Sequence, residues 1–323
     1  MTSTPAKAHR PHGQARSKPR TRVSRRRYVA RRAGALAILV VVLLLGAQVA
    51  IWAAGAAGTE TASGAVVDAA APSESSSATA ALSTDPPGTG TEVGVDVNAG
   101  AVPVPTAATP ARLAVYGDSH AGGFGPYLEE MLDDLGIVET TLTYKVSSGL
   151  VRDDFYDWPA ELPAIVAADQ PAIAVVAWGG NDGQGMTIDG KAYALTSDTW
   201  AEVYSARVTK MLDILTGAGA RVIWVGLANA PDAEFSSRLE VVRDVTRAAV
   251  EAYPVPIAYV DTWARFTGVD GGYAEYVIDP RDGQGKDVRA SDGNHLNPTG
   301  AEILSLDIVE AVKVELRALG ANI

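Results

Sequence analysis

Three short stretches carry side chains that could act together on an ester. The first is Leu113-Ala-Val-Tyr-Gly-Asp-Ser-His120, an apolar run ending in a turn that presents Ser119. The others are Gly179-Gly-Asn-Asp182 and Asp292-Gly-Asn-His295. A serine hydroxyl is a weak nucleophile until a base takes its proton. The chain has 4 histidines, and two of them, His9 and His12, lie in a basic N-terminal tail. His120 adjoins Ser119, and neighbouring side chains diverge at such a turn, so His295 is the expected base. Asp292, three residues earlier, can accept from the far ring nitrogen, fixing the tautomer and stabilising the imidazolium. Asn297-Pro298 supplies a helix N-cap and a first-turn proline, which pins the His295 loop at the start of the last helix. Each stretch alone has an ordinary explanation, because Gly, Asp, Asn and Ser populate any turn. Their occurrence together, in this order on one α/β chain, favours nucleophilic catalysis.

The elements that must position these residues alternate from Arg112 onward. Strands are expected at Leu113–Tyr116, Thr141–Val146, Ala172–Trp178, Arg221–Leu227 and Ile257–Val260. Helices fit Gly125–Leu135, Pro159–Ala168, Thr199–Ala218, Ala233–Ala252 and Pro298–Leu319. The first, third and fourth strands are almost continuously apolar, as strands covered on both faces must be. Five βα units predict a three-layer α/β/α sandwich with a five-stranded, mostly parallel sheet. In the flavodoxin-like order 2-1-3-4-5, the strands before Ser119 and Asn181 are neighbours at the switch point, where ligands bind beyond the carboxyl ends. Residues 262–297 are rich in Gly and Asp and too long for an ordinary connection, which marks a functional or decorated loop.

Composition divides the chain into unlike parts. Of the 27 Lys and Arg, 11 fall within residues 1–33 with no acid, leaving 16 against all 38 Asp and Glu. An acidic main domain without a basic stripe argues against nucleic acid as its partner. Residues 34–57 form an uncharged apolar run of about 36 Å as a helix, enough to span a bilayer. Arg25, Arg26, Arg27, Arg31 and Arg32 precede it, so the positive-inside rule places the N-terminus in the cytoplasm and the rest outside. A cleaved signal peptide is the alternative, since Ala53-Ala-Gly-Ala-Ala57 offers small residues to a peptidase, although the apolar run exceeds the usual length. Residues 58–110, rich in Ala, Ser, Thr, Pro and Gly, read as a flexible tether with a reach on the order of 40 Å. The expected organisation is a basic tail (1–33), a transmembrane signal anchor (34–57), an extracytoplasmic linker (58–110) and a catalytic domain (111–323). The absence of cysteine excludes zinc–thiolate sites and a cysteine nucleophile.

Taken together, Gly117-Asp118-Ser119, Gly179-x-Asn181-Asp182 and Asp292-x-x-His295 resemble the blocks of the SGNH, or GDSL-type, serine hydrolases. The likeness runs from Leu113 to Leu316. Val146-Ser-Ser-Gly-Leu150, Phe155-Tyr-Asp-Trp158 and Asn181-Asp-Gly-Gln184 look like a bacterial exported branch of that superfamily. The resemblance implies Ser119 as nucleophile, His295 as base and Asp292 as its orienting acid. It implies an oxyanion hole made by the N–H groups of Ser119 and Gly149 and the carboxamide of Asn181. Asp182, Gln184 and Trp158, with Asp157 beside them, are expected along the substrate groove, although an aromatic after a loop is also an ordinary core residue. Two positions depart from the pattern: His120 replaces leucine, and Leu296 replaces the proline that often follows the histidine. The implied activity is ester hydrolysis without metal or cofactor, on O-acyl groups of cell-envelope glycans. An O-acyltransferase would use the same residues with a membrane partner supplying the acyl donor. Two rivals remain, a non-catalytic glycan-binding module and a metal-dependent phosphoesterase built on Asp118, His120 and Asp182.

Overall fold

The computed structural model describes residues 103–323. The expected tail, the anchor at 34–57 and most of the linker lie outside the described residues. The last part of the linker, 103–110, has no helix or strand. Among the described residues, no helix is long and apolar enough to cross a membrane.

Five parallel strands form the central sheet: β1 (Ala111–Gly117), β2 (Val138–Tyr144), β3 (Ile173–Ala177), β6 (Arg221–Val225) and β7 (Ala258–Val260), in the order β2-β1-β3-β6-β7. This is the 2-1-3-4-5 arrangement expected of the three-layer SGNH fold. Alternate residues of each strand enter different cores. Leu113, Val115, Ile173, Val175, Ile223 and Val225 meet helices α1 (Ser119–Asp133) and α6 (Pro298–Ala318). Ala114, Tyr116, Ala174, Val176, Val222 and Trp224 meet α2 (Trp158–Asp169), α3 (Asp198–Gly217) and α4 (Ala233–Glu251) on the opposite face. Helix α6 shows why the long C-terminal run is helical: Leu304, Ile308, Val312 and Leu316 recur every fourth residue and are all buried.

Strand register places the functional loops. Gly117 at the end of β1 pairs with Tyr144 at the end of β2 and with Ala177 at the end of β3. Three chain segments therefore leave the sheet side by side: the Ser119 turn, the loop through Gly149 and the Gly179–Asp182 turn.

Three local features differ from expectation. Helix α1 begins at Ser119 rather than Gly125, because the Asp118 side chain caps it by accepting the His120 N–H at 2.8 Å. A β-hairpin, β4 (Met186–Ile188) and β5 (Lys191–Tyr193), follows the Asn181 turn; its Asp189-Gly190 corner has positive φ at both residues, as a tight hairpin turn requires. The 262–297 segment is structured, holding α5 (Thr262–Arg265) and a second hairpin, β8 (Tyr276–Ile278) with β9 (Gly285–Asp287).

Candidate active site

The strand-to-helix turn that carries Ser119 depends on close approach of backbones. A Cβ at Gly117 would overlap the carbonyl oxygen of Ala177, so only glycine lets β1 and β3 lie level there. Asp118 is wholly buried and ties the turn to its neighbour: Oδ1 accepts from His120 N, and Oδ2 accepts from Gly180 N at 3.0 Å. Ser119 becomes the first residue of α1, with its side chain free to reach across the sheet.

It reaches His295. Ser119 Oγ lies 2.9 Å from His295 Nε2, and His295 Nδ1 lies 2.7 Å from Asp292 Oδ2. The other oxygen of Asp292 accepts the N–H groups of Asn294 and His295, each at 3.0 Å. These contacts hold the Asp292 carboxyl well below the usual carboxylate range, the hydrogen bond from His295 contributing most. The same hydrogen bond raises the pKa of His295. Nδ1–H donating to Asp292 leaves Nε2 as the lone-pair nitrogen facing the hydroxyl, the tautomer that a general base needs.

The loop bearing His295 is anchored by Arg289, a buried guanidinium with no carboxylate partner among the described residues. It donates to Ala274 O at 3.0 Å, to Asn229 O at 3.1 Å and Oδ1 at 2.8 Å, and to Phe266 O at 3.2 Å. Ala290 N donates to His295 O at 2.9 Å, closing the turn. Gly293, at φ 73°, takes the left-handed conformation between Asp292 and Asn294.

The turn after β3, beside the Ser119 turn, carries Asn181, half-buried, whose Nδ2 donates one bond to Ser148 O at 2.9 Å and keeps a second N–H. Within the described residues, neither the Ser119 N–H nor the Gly149 N–H has an acceptor. Donors left without partners at adjoining strand ends are what stabilisation of a developing oxyanion requires.

The expected groove residues separate into two groups. Gln184 is exposed, and its Nε2 donates to Asn181 O at 2.6 Å. It borders an open polar cleft of about 450 Å³ that also takes in Arg152, Asp154 and Thr187. Asp182 and Trp158 do not face a groove; both are fully buried. Trp158 fills the core under the loop and donates Nε1 to Ser148 Oγ at 2.8 Å. Asp182 accepts from Leu150 N at 2.9 Å, Val151 N at 3.3 Å and Tyr204 Oη at 2.9 Å, and burial raises its pKa to about 6. Asp157 caps α2 by accepting from Ala160 N at 3.1 Å. Because Asp118 and Asp182 spend their oxygens on N–H and O–H donors, the phosphoesterase reading loses its carboxylate ligands.

One site residue was not expected in this position. The His120 ring does not diverge from the site but stacks on His295, with centroids 5.3 Å apart at 28°. It also packs against Gly180, where a Cβ would overlap Nε2. Burial lowers its pKa, favouring a neutral ring beside the base. The Gly-Gly pair at 179–180 was the sequence signal for that close approach. A cavity of about 30 Å³ adjoins Ser119 and His295 and is lined by Phe124, Val225, Leu296 and Leu304. It has room for about one water.

The family described as "Protein of unknown function (DUF459)" matches residues 112–311. No curated protein sequence matches the chain. Among solved structures, the chain is similar to TesA at 20% identity, over 63% of this chain and 99% of that one, with a TM-score of 0.44. It is similar to a GDSL-like lipase from Bacteroides thetaiotaomicron at 13% identity, over 63% and 88%, with a TM-score of 0.46. A lipase from a goat rumen metagenome gives 18% identity, 62% and 97% coverage, and a TM-score of 0.41.

Proposed function

The chain belongs to the DUF459 family, and we propose that it is a serine esterase of the SGNH type, held at the outer face of a cell membrane. The observation that carries this reading is the continuous relay from Ser119 Oγ through His295 to Asp292, with links of 2.9 and 2.7 Å. A binding module has no need for that alignment.

In the forward step His295 Nε2 takes the hydroxyl proton as Ser119 Oγ bonds to the acyl carbonyl carbon. The carbonyl π electrons move to oxygen, whose charge meets the N–H groups of Ser119, Gly149 and Asn181. Collapse of the tetrahedral adduct breaks the bond to the alcohol oxygen, and His295 returns its proton to that leaving group. Water then repeats the sequence on the seryl ester, releasing the acid and restoring Ser119. Asp292 stays ionised throughout and stabilises the imidazolium.

The substrate proposed is an O-acyl, in particular O-acetyl, group on an envelope glycan. The polar cleft at Gln184 supports an alcohol rich in hydroxyl groups, and a tethered domain outside a single anchor suits work within the envelope. The test is labelling of the chain with a fluorophosphonate, locating the modified residue by mass spectrometry and following turnover of 4-nitrophenyl acetate. Label on Ser119, lost in Ser119→Ala together with about 10⁶-fold of kcat, is the expected result. Turnover retained by Ser119→Ala would overturn the assignment.

A further inference from the structure

Asp182 is a wholly buried carboxylate that the relay does not use. It sits under the loop following β2, and nothing separates the two: a Cβ at Gly149 would overlap Asp182 Oδ1. Its oxygens gather the N–H groups of Leu150 and Val151 and the hydroxyl of Tyr204. A peptide unit is planar, so fixing the N–H of Leu150 fixes the carbonyl of Gly149, and fixing that of Val151 fixes the carbonyl of Leu150. The unit before them is held by Asn181 through Ser148 O. Three consecutive peptide planes are therefore pinned, and of the three N–H groups from Gly149 to Val151 only that of Gly149 has no acceptor within the described residues.

We infer that Asp182 is a positioning residue, whose buried carboxylate aims the Gly149 N–H at the oxyanion by holding the two peptide units that follow it. The inference rests on the esterase reading of Ser119. An acceptor of this kind must be ionised. A neutral carboxamide offers one oxygen and would turn its own N–H donors toward Val151 N or Leu150 N, which can only donate, and a protonated carboxyl carries the same conflict. The titratable groups that face Asp182 are Tyr204 of α3 and Asp118 after β1; nearby, Arg207 of α3 meets the Leu150 carbonyl, Arg238 of α4 lies against Gly183, and His120 of α1 lies against Gly180. Neither arginine bonds to it: Arg207 donates to Leu150 O and Asp153, and Arg238 lies 3.9 Å from Glu234. The carboxylate is stabilised by donors alone, so losing one donor shifts its titration.

Two variants test this with 4-nitrophenyl acetate, rates being expressed per fluorophosphonate-titrated site so that misfolded protein does not count. Asp182→Asn is expected to lower kcat about 10²-fold, the scale of a misplaced catalytic group, with KM within about twofold. A kcat per titrated site within about threefold of the parent would overturn the inference. The second arm does not depend on that variant folding. In the parent, log kcat/KM should fall with slope 1 as His295 protonates and steepen toward 2 below about pH 6, where Asp182 takes up its proton. Tyr204→Phe removes a donor to the ionised form, raises the carboxyl pKa and should move that second break to higher pH. A break absent from the parent, or unmoved in Tyr204→Phe, would overturn the inference while leaving the esterase intact. A parent that neither labels at Ser119 nor turns over the ester would bring down the esterase reading and this one with it.

Discussion

On one side of Ser119 the relay is local and open to solvent: Asp292 and His295 are three residues apart, and their side chains are 45% and 38% exposed. On the other side the wall proposed to hold the oxyanion is assembled from distant parts of the chain and sealed, with Ser148, Trp158, Asp182 and Tyr204 all at 0% exposure. The difference follows from what each must do. The imidazole has to exchange protons with substrate and water, so it sits at the rim, and its backbone turn supplies the rigidity. The oxyanion donors must not move as charge develops, and a water-excluded foundation provides that.

If the two sides differ in this way, substitutions should separate activity from stability. Asp292→Asn is expected to lower kcat by about 10⁴-fold with a melting temperature within about 2 °C of the parent, read by steady-state rates and calorimetry. A large loss of stability there would break the contrast. Trp158→Ala, on the buried side, should cost about 3–5 kcal/mol of unfolding free energy, measured by denaturant titration. Asn181→Ala should reduce kcat by the equivalent of about 2.7–4 kcal/mol with KM little changed; an effect confined to KM would make it a substrate contact instead.

The smallest effect is the pH response. His295 works as a base only when neutral, and its pKa is raised, so kcat/KM should fall with acid about a midpoint above its ordinary 6.5. Removing the raising partner in Asp292→Asn should shift that midpoint down. A midpoint that stays put would mean that the limb belongs to another group.

How much of this the sequence disclosed depended on the range of the interaction. The sheet was legible because β1, β3 and β6 are continuous apolar runs, and the helices because Asn297-Pro298 and the apolar stripe of α6 mark their own limits. That Ser119, His295 and Asp292 meet was legible from the Gly-Asp-Ser turn, from elimination among few histidines and from the three-residue spacing of Asp292 and His295. Asp182 and Trp158 were misplaced because their burial depends on Tyr204 and Ser148, partners 22 and 10 residues away that no local pattern announces. His120 was misjudged for a similar reason: helix α1 starts at Ser119, and that geometry turns the ring back beneath His295. The β4–β5 hairpin was missed because its three-residue strands are too short to show alternation.

Arg289 gives the His295 loop an unusual freedom. Its guanidinium clasps carbonyls from three separated segments, at Asn229, Phe266 and Ala274, on the inner side of the 262–297 excursion. On the outer side Val269, Tyr276 and Ile278 stand in solvent. The outer turns can lengthen, shorten or change character while the clasp keeps the imidazole in its place. Drift in those exposed turns is thereby uncoupled from the Asp292–His295 contact.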